Sequence, residues 1–358
     1  MKQKRLAVSV VSFGFVLVLI GFIGLKLGSV QKKTDFMVAW NSIYTPFLYT
    51  GIVFIIGGMI WGNCICGQKR EKWVPYLLIT PTIIALLLFV VYPIINVIYL
   101  SFFKGNALKP TKEFVGVTNY ISMFEKPAFR SATRNTFVYA FIFVLLTIAI
   151  SLLMAAWLFD SRPINKLSQT VIFTPQLIAT VSCAFIWRWV FDHNSYGLLN
   201  TFLSIFGIDP IPWLESSKYA LGCIIAMNVW RNLGYYTLIF IAAMKSVPEE
   251  IYDAAKLDGA TGKKCFIKIT LPLISPQIFF SLVMLTISSF NVFDSINAMT
   301  AGGPGTSTEV IARYIYMFAF QNTNTLGLGC SAAVFLMCIQ MFMTLLYFRL
   351  LEKRIHYQ

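Results

Sequence analysis

The sequence predicts an all-α polytopic membrane protein, and three observations support this prediction. The 358 residues are 57% hydrophobic and only 12% charged, whereas soluble globular domains are about half apolar and about a quarter charged. The mean hydropathy is +0.71, and apolar residues form continuous runs of about 20, the length that a helix needs to cross a bilayer. The runs do not alternate with polar residues, so a transmembrane β-barrel is excluded.

Eight membrane-spanning helices are predicted. The first apolar run follows the basic start Met1 to Arg5 and is too long for the core of a signal peptide, and no small-residue cleavage site follows it, so we expect an uncleaved helix. The predicted spans cover residues 6–25, 47–65, 75–102, 136–159, 171–190, 219–244, 273–296 and 326–351. Residues 1–72 would form two accessory helices, and residues 73–358 a six-helix core.

The loops between the spans differ in character. Pro81 and Pro93 predict kinks in the third span, because proline removes a backbone hydrogen bond inside a helix. Residues 104–134 form a polar loop that is long enough for a short helix. Loops 192–218 and 297–325 are rich in Gly, Pro, Asn and Trp, which predicts compact turns.

The charge distribution predicts an orientation. The net charge is +14, which in a soluble protein would suggest a nucleic-acid partner. No segment is long enough for a soluble basic domain, so we expect no nucleic-acid partner. Cytoplasmic loops of membrane proteins carry the excess of Lys and Arg. The larger share of the 29 Lys and Arg residues falls on the side of the termini, which predicts a multi-pass protein with both termini in the cytoplasm.

Residues 248–276, which we call the island, form a charged segment between the sixth and seventh spans. Pro248 suits the start of a helix, and Glu249 and Glu250 favour the positive end of its dipole. Gly259 and Gly262 should break the helix, and a second helix over 263–269 should end before Pro272. An amphipathic connector on the lipid surface, with Lys263, Lys264 and Lys268 on anionic headgroups, is an alternative.

The island resembles a known signature. Asp253-Ala254-Ala255, then Gly259 after three residues and Ile269-x-Leu271-Pro272 after nine more, resembles the EAA motif of permease subunits of binding-protein-dependent ABC importers. Asp253 replaces the usual Glu of this motif. Further stretches resemble carbohydrate-uptake permeases of the maltose and glycerol-phosphate type, and more closely their first, MalF-like subunit. These stretches are Trp187-Arg-Trp-Val-Phe191, Tyr196-Gly-Leu-Leu-Asn200, Pro212-Trp-Leu214, Trp230-Arg231, Gly234, Asp258-Gly-Ala260 and Ala301-Gly-Gly-Pro304.

The resemblance implies a location in the bacterial cytoplasmic membrane, a role and a set of partners. The island would be a coupling helix in a groove of a cytoplasmic ABC ATPase dimer, which uses ATP and Mg, whereas this chain would bind no cofactor and catalyse no reaction. A second permease subunit, an extracytoplasmic solute-binding protein, a sugar and the lipid bilayer would be the other partners. The implied coupling residues are Glu249, Glu250, Asp253, Ala254, Ala255, Gly259, Ile269, Leu271 and Pro272.

No nucleotide-binding loop is found in the chain. The run Gly259 to Lys264 lacks the four-residue spacing between glycines and the hydroxyl after Lys that a P-loop requires. Energy must therefore come from another subunit or from an ion gradient. An ion-coupled secondary transporter is the alternative, but it should show a paired acidic site at the midplane, and Asp294 is the one acidic residue predicted deep in a span. A membrane enzyme lacks a catalytic cluster, and two histidines make a metal site unexpected.

Two polar stripes are predicted inside the spans. In the sixth span the polar residues recur at spacings of three and four, as do those of the seventh. The first stripe is Asn228, Arg231, Asn232 and Tyr235, and the second is Ser288, Asn291, Asp294 and Ser295. The stripes could line a sugar path, because amides, carboxylates and aromatic faces hold hydroxyl-rich ligands. They could equally pack the helices together, with Arg231 paired to Asp294 or reaching the interface.

Overall fold

The computed structural model describes Gly14 and residues 74–105, 113–160, 162–260, 262–322 and 325–351. The first two predicted spans, and with them the accessory region 1–72 apart from Gly14, lie outside the described residues, as do both termini. The chain divides into two compact units, residues 1–96 and 97–358.

The third predicted span is a helix in three parts. Helix α1 (Val74–Leu86) continues through a π-helical turn (Leu87–Val91) into α2 (Tyr92–Leu100). Pro93 cannot donate a backbone hydrogen bond, and a wider turn just before it lets the chain continue as a helix. The predicted interruption is therefore a local change of helix type.

The predicted polar loop 104–134 contains a two-stranded ribbon and a short helix. Strands β1 (Phe103–Lys104) and β2 (Glu113–Phe114) pair antiparallel, and α3 (Thr118–Glu125) follows. Helix α4 (Pro127–Leu158) begins nine residues before the predicted fourth span. The prediction of its start was wrong, because Pro127 begins a helix whose first turns are polar, and hydropathy marks only the apolar part.

The fifth predicted span is broken. Helices α5 (Pro163–Leu177) and α6 (Thr180–Val190) meet at 102°, so the prediction of one helix over 171–190 was wrong. Pro175 removes a hydrogen bond from the last turn of α5, and Ile178 is extended. The guanidinium of Arg231 donates to the Ile178 carbonyl through Nε and Nη2, at 3.4 and 3.3 Å, which satisfies an acceptor at the break. A short helix, α7 (Leu198–Ser204), follows in the next loop.

Helix α8 (Ala220–Lys245) agrees with the sixth predicted span and organises the core. It packs against α4 and α5. The approach to α5 is close at Gly234, where a Cβ would lie 2.5 Å from the Ile172 carbonyl carbon. Ile224, Met227 and Phe240 of α8 are fully buried in the larger apolar core.

The island folds as two helical pieces. Helix α9 (Glu249–Leu257) is followed by α10 (Lys263–Cys265), a π-helical turn (Phe266–Thr270) and α11 (Leu271–Leu273). The predicted end before Pro272 was wrong. The π-helical turn shifts the hydrogen-bond register just before Pro272, so the missing N–H does not stop the helix.

The seventh predicted span is also divided. Residues 263–273 and α12 (Ser275–Phe290) meet at 69°. Helix α12 ends at Phe290, and α13 (Asp294–Met299) forms a separate short helix. One continuous helix over 273–296 was therefore a wrong prediction.

The last part of the chain contains α14 (Ile311–Tyr316), a π-helical turn (Met317–Gln321) and α15 (Leu326–Leu351). Helix α15 has the bounds of the eighth predicted span. Together with α3, α4 and α14 it encloses a second apolar core around Met123, Phe129 and Tyr314.

Three described helices are long and apolar enough to cross a membrane: Ile79–Leu100, Pro127–Leu158 and Leu326–Arg349. The number rises to five if each bent pair is one span. Helix α8 has the length, but Asn228, Arg231 and Asn232 lower its hydropathy. The helical class is confirmed, and the total of eight spans stays a prediction.

Candidate functional site

The first helix of the island exposes its acidic side and buries the other. Ala255 is buried, and Ile251 and Tyr252 pack against the larger core. Glu249 and Glu250 lie in the first turn of α9, as predicted, and both are exposed. Leu257, the last residue of α9, is 90% exposed. This arrangement leaves a charged surface with an apolar tip facing away from the helices.

The end of α9 depends on a glycine. Gly259 has φ +72°, its N–H donates to the Lys256 carbonyl at 3.1 Å, and the Ala260 N–H donates to the Ala255 carbonyl at 2.8 Å. This is the left-handed residue that commonly terminates a helix. No atom lies within 4 Å of a Cβ built at Gly259, so the glycine is required by backbone conformation and not by space. The predicted break of the helix at Gly259 is confirmed.

The resemblance-derived coupling residues divide into two groups. Glu249, Glu250, Asp253, Ala254 and Gly259 are exposed.

The remaining members are Ala255, which is buried, and Ile269, Leu271 and Pro272, which are half-buried. Leu271 packs against the larger core. The second half of the motif therefore attaches the island to the helices, whereas the first half, apart from Ala255, is exposed.

Asp253 already has a partner on its own helix. Its Oδ1 accepts from the Lys256 ammonium at 2.8 Å, and both side chains are about 70% exposed. This hydrogen bond raises the pKa of Lys256. Water screens such a surface pair strongly, so the carboxylate can exchange Lys256 for a group on another chain.

The polar stripe of the sixth predicted span is present on α8, and its groups are engaged in structural hydrogen bonds. Buried Asn228 donates to the Ile224 carbonyl and to Ser295 Oγ, both at 3.0 Å. Asn232 donates to the Asn228 carbonyl at 2.7 Å. Tyr235, at the other end of the stripe, is 41% exposed. The bond of Asn228 to Ser295 and the contact of Arg231 to Ile178 hold α8 against its neighbours, whereas the other bonds lie within α8.

The second stripe does not form one helical face. Ser288 is in α12, Asn291 follows its last residue and Asp294 begins α13, so the predicted spacing along one helix was wrong. The sequence Phe290 to Phe293 leaves the helical conformation there. All three side chains are exposed. Among the described residues, Arg231 and Asp294 form no ion pair within 4.0 Å, and Ser295 is the residue of this stripe that bonds to α8.

A second polar region lies at the other end of α8. We call residues 191–219 and 300–313 the polar cap. Asn200 is fully buried in it, and its Nδ2 donates to the carbonyls of Asp192, His193 and Ile211. Its Oδ1 accepts from the Ile211 N–H and from Trp213 Nε1. One amide thus fixes both segments of the loop before α8.

The other part of the polar cap rests on a buried ion pair. The Arg313 guanidinium donates to Glu309 Oε2, and each side chain is 11% exposed. Burial raises the pKa of Glu309, and the charge of Arg313 opposes this. Gly302, with φ +83°, lies directly over the pair, because a Cβ there would be 2.6 Å from Arg313 Nη1 and would also overlap Glu309 Oε2.

The polar cap is also joined to α4. Asn135 Nδ2 donates to the carbonyls of Thr306 and Glu309, and Thr136 Oγ1 accepts from the Ile311 N–H. Within loop 300–308, Thr308 Oγ1 donates to the Gly303 carbonyl at 2.7 Å. These bonds hold the loop against the helix.

A cavity of about 370 Å³ opens between the two segments of the polar cap. Its ionisable side chains are Arg188, Asp192, His193 and Glu215. Among the described residues Arg188 and Asp192 form no ion pair within 4.0 Å, although they lie four residues apart. Asp192 Oδ1 accepts from the backbone and side-chain nitrogens of Asn194. The backbone hydrogen bond, more than any charge, lowers the pKa of Asp192.

The remaining lining of the cavity is Phe191, Leu214, Met299, Thr300, Gly303 and Pro304. Sequence reasoning did not identify this cleft as a site. A signal was present, because the stretches around Asn200, Trp213 and Gly302 were each part of the family resemblance, but nothing in the sequence showed that they meet. In the same described residues, no group of three or more His, Cys, Asp or Glu side chains could hold a metal ion.

Residues 147–357 match the model of the family described as "Binding-protein-dependent transport system inner membrane component". The chain belongs to this family. It is therefore a membrane protein of the permease class, and the recognition made from the motifs is confirmed.

Individual relatives agree with this assignment. The chain is 30% identical over 282 residues to the trehalose/maltose transport system permease protein MalF of Thermococcus litoralis, covering 79% of this chain and 95% of the relative. It is 33% identical over 291 residues to the sulfoquinovosyl glycerol transport system permease protein SmoG of Agrobacterium fabrum, covering 79% and 92%. With the sn-glycerol-3-phosphate permease protein UgpA of Pectobacterium atrosepticum the identity is 31%, covering 81% and 97%.

A solved structure has the same fold. A chain from a bacterial ABC transporter involved in the import of the acidic polysaccharide alginate superposes with a TM-score of 0.69 at 25% identity, covering 79% of this chain and 97% of that one. A second structure of an alginate transporter, in complex with a pentasaccharide-bound periplasmic protein, gives a TM-score of 0.68.

Proposed function

We propose that this permease is one of two membrane subunits of an ATP-driven importer for a sugar or oligosaccharide. A second permease subunit would complete the path, and a cytoplasmic ATPase dimer using ATP and Mg would supply the energy. An extracytoplasmic solute-binding protein would deliver the sugar on the side of the polar cap. The named substrates of its relatives, trehalose/maltose, sulfoquinovosyl glycerol and alginate, support a carbohydrate.

The observation that carries the proposal is the exposed acidic face of α9. Glu249, Glu250 and Asp253 are presented at the end of α8, on a helix whose opposite face is anchored in the core. Charge-assisted hydrogen bonds to basic or amide groups of an ATPase groove would engage these carboxylates. The turn at Gly259 and the half-buried Leu271 would then transmit the movement of the ATPase to α12.

The mechanism would be alternating access between two arrangements of the helices. ATP-driven closure of the ATPase dimer pulls the island, and the island moves the helices attached to it. Asn228, Arg231, Asn232, Tyr235, Ser288, Asn291 and Asp294 remain the candidate path residues. Exposed Ser288, Asn291 and Asp294 are the better candidates for direct sugar contact, since Asn228 and Arg231 are engaged in bonds between helices.

The test is transport by the complete complex in proteoliposomes. We expect uptake of a labelled saccharide that requires both ATP inside the vesicles and the binding protein on the other side. Uptake should persist when protonophore and sodium ionophore dissipate all ion gradients. Uptake that needs no ATP and is abolished by the ionophores would contradict the proposal and favour an ion-coupled secondary transporter.

A further inference from the structure

We infer that the cleft of the polar cap is a binding subsite for a neutral, hydroxyl-rich ligand, the saccharide itself, as it enters the permease. The inference rests on the proposed function and adds a second ligand site to the candidate path residues. The cavity of about 370 Å³ is at the lower end of the range in which proteins bind small molecules. It is large enough for a small part of an oligosaccharide.

The cleft is built by buried bonds rather than by chance contact of two loops. Within segment 191–219, which forms one wall, Asn200 joins the carbonyls of Asp192 and His193 to the backbone of Ile211. A Cβ on Gly197 would lie 3.1 Å from the carbonyl carbon of Asp192. The backbone that carries Asp192 and His193 is therefore held in position before a ligand arrives, which reduces the ordering cost of binding.

The opposite wall is equally fixed. Thr300 Oγ1 and Thr308 Oγ1 are 2.7 Å apart, and Thr308 also donates to the Gly303 carbonyl. Gly302 rests on the buried Glu309 and Arg313 behind this wall. Thr300 and Gly303 thus line the cleft from a loop supported over its length.

The charges in the cleft favour a neutral polyol over an ion. Arg188 is positive, while Asp192 and Glu215 are negative. His193 Nδ1 lies 3.8 Å from Asp192 Oδ1 and 3.3 Å from Glu215 Oε1. An anion would meet two carboxylates and a cation would meet the guanidinium. Hydroxyl groups can both donate to the carboxylates and accept from the guanidinium, and Leu214 and Pro304 give the apolar surface that a sugar ring packs against.

The position of the cleft places it next to the predicted path. Its walls come from the carboxyl ends of α6 and α13, which pack against each other. Helix α13 begins at Asp294, a candidate path residue, and Ser295 in its first turn bonds to Asn228 of α8. A saccharide leaving the cleft along α13 would therefore reach the exposed Asp294.

The test is saturation-transfer difference NMR on the complete transporter in nanodiscs, without binding protein and without ATP. The probes are maltose, trehalose and sn-glycerol 3-phosphate. We expect saturation transfer to at least one disaccharide, and an affinity that falls at least about tenfold in Glu215→Gln, because a hydrogen bond to a charged group is lost. Arg188→Gln should act in the same direction.

The matched control is Asp209→Asn, which makes the same chemical change on an exposed residue of the same loop that does not line the cleft. It should bind as the wild type does. The inference is overturned if neither disaccharide shows transfer at millimolar concentration, if Glu215→Gln and Arg188→Gln both bind as the wild type does, or if sn-glycerol 3-phosphate binds in preference to both disaccharides.

Titration of ATPase activity with the binding protein separates this inference from the proposed function. If Glu215→Gln leaves disaccharide binding unchanged and raises only the half-saturating concentration of the binding protein, the cleft contacts that protein and the inference is wrong. If the wild type transports with ATP and binding protein but shows no saturation transfer, the inference alone fails. A wild type without ATP-driven uptake contradicts the proposed function itself.

Discussion

The island and the polar cap lie at opposite ends of α8, a helix of 26 residues and therefore about 39 Å long, and they use charge in opposite ways. In the polar cap, Glu309 and Arg313 are paired and buried under Gly302. In the island, Asp253 and Lys256 form a pair that is about 70% exposed. The buried charges of the polar cap are paired within the chain, whereas the island has exposed charges that another chain can engage.

This difference predicts which substitutions should change the stability of the permease and which should change its coupling to the ATPase. Substitutions in the polar cap should change the stability of the isolated permease. Substitutions on the exposed face of the island should leave its stability unchanged and alter the function of the complex. The following variants test this contrast, from the largest expected effect to the smallest.

Removing one partner of the buried ion pair should have the largest effect. Glu309→Ala leaves Arg313 buried without its carboxylate, which costs about 3–5 kcal/mol of folding free energy. Thermal unfolding of the purified permease in detergent measures it. Asp253→Ala is the matched variant in the island and should leave the melting temperature unchanged, since its pair with Lys256 is exposed. Equal melting temperatures for Glu309→Ala and the wild type would remove the contrast.

Substitution of the glycine above the ion pair should have the second-largest effect on stability. Gly302→Ala combines a positive φ with overlap of the ion pair, and we expect a loss of about 2–4 kcal/mol from overpacking and backbone strain together. Gly305→Ala is the control, because Gly305 has φ +59° but no atom within 4 Å of a Cβ. The control isolates the strain. If the two variants unfold at the same temperature, the overlap with Glu309 and Arg313 has no cost.

Loss of the buried Asn200 amide should have the third-largest effect. Asn200→Ala leaves the Trp213 indole N–H and the Ile211 N–H without their acceptor, at a cost of about 1–3 kcal/mol. Hydrogen exchange of residues 191–213 should be faster in the variant than in the wild type, and exchange in the island should be unchanged. The exposed Asn297 in α13 supplies the control Asn297→Ala. Exchange that speeds up only outside residues 191–213 would contradict the role of Asn200.

The smallest effect should be one of pH. Backbone N–H donation from Asn194 lowers the pKa of Asp192, so its ionised form stabilises the fold. This contribution is complete above the usual Asp pKa of about 3.9 and is lost as the pH falls through the lowered value. Denaturant unfolding of wild type and Asp192→Ala should differ by a constant amount, under about 1 kcal/mol, from pH 7 to pH 5, and converge in stronger acid. A difference that grows as the pH falls would contradict this sign.

The sequence predicted the architecture where apolar runs and caps coincide. Helices α8 and α15 fall within one residue of their predicted bounds, and the island turn at Gly259 is where the glycine predicts it. Prediction from the sequence failed where a break in a helix depends on a tertiary contact. The bend after α5 exposes the Ile178 carbonyl, and its partner, Arg231, is 53 residues away.

The candidate site, too, could be predicted where local sequence determines the structure and not where tertiary contacts do. The exposed residues of α9 could be predicted, because helix period and dipole place them. The second polar stripe could not, because its spacing assumed that α12 continues past Phe290. The cleft of the polar cap requires the meeting of two segments, one fixed by Asn200 and the other containing Gly302, and local sequence contains no information on that meeting.

The central claim is that the island transmits ATP hydrolysis to the membrane helices, and two matched prolines test it most directly. Gly259 and Gly207 both have φ +72°, both lack atoms within 4 Å of a Cβ, and each N–H donates to a carbonyl three residues earlier. Proline forbids this φ and removes the N–H at either position. Gly259 ends α9 of the island, and Gly207 follows α7 in the polar cap.

The measurement is binding-protein-stimulated ATPase activity, together with saccharide uptake, of the reconstituted complex. We predict that Gly259→Pro abolishes the stimulation and the uptake while the complex still assembles, and that Gly207→Pro retains both. Stimulation and uptake at the wild-type level in Gly259→Pro would contradict the claim that the island couples the ATPase to transport.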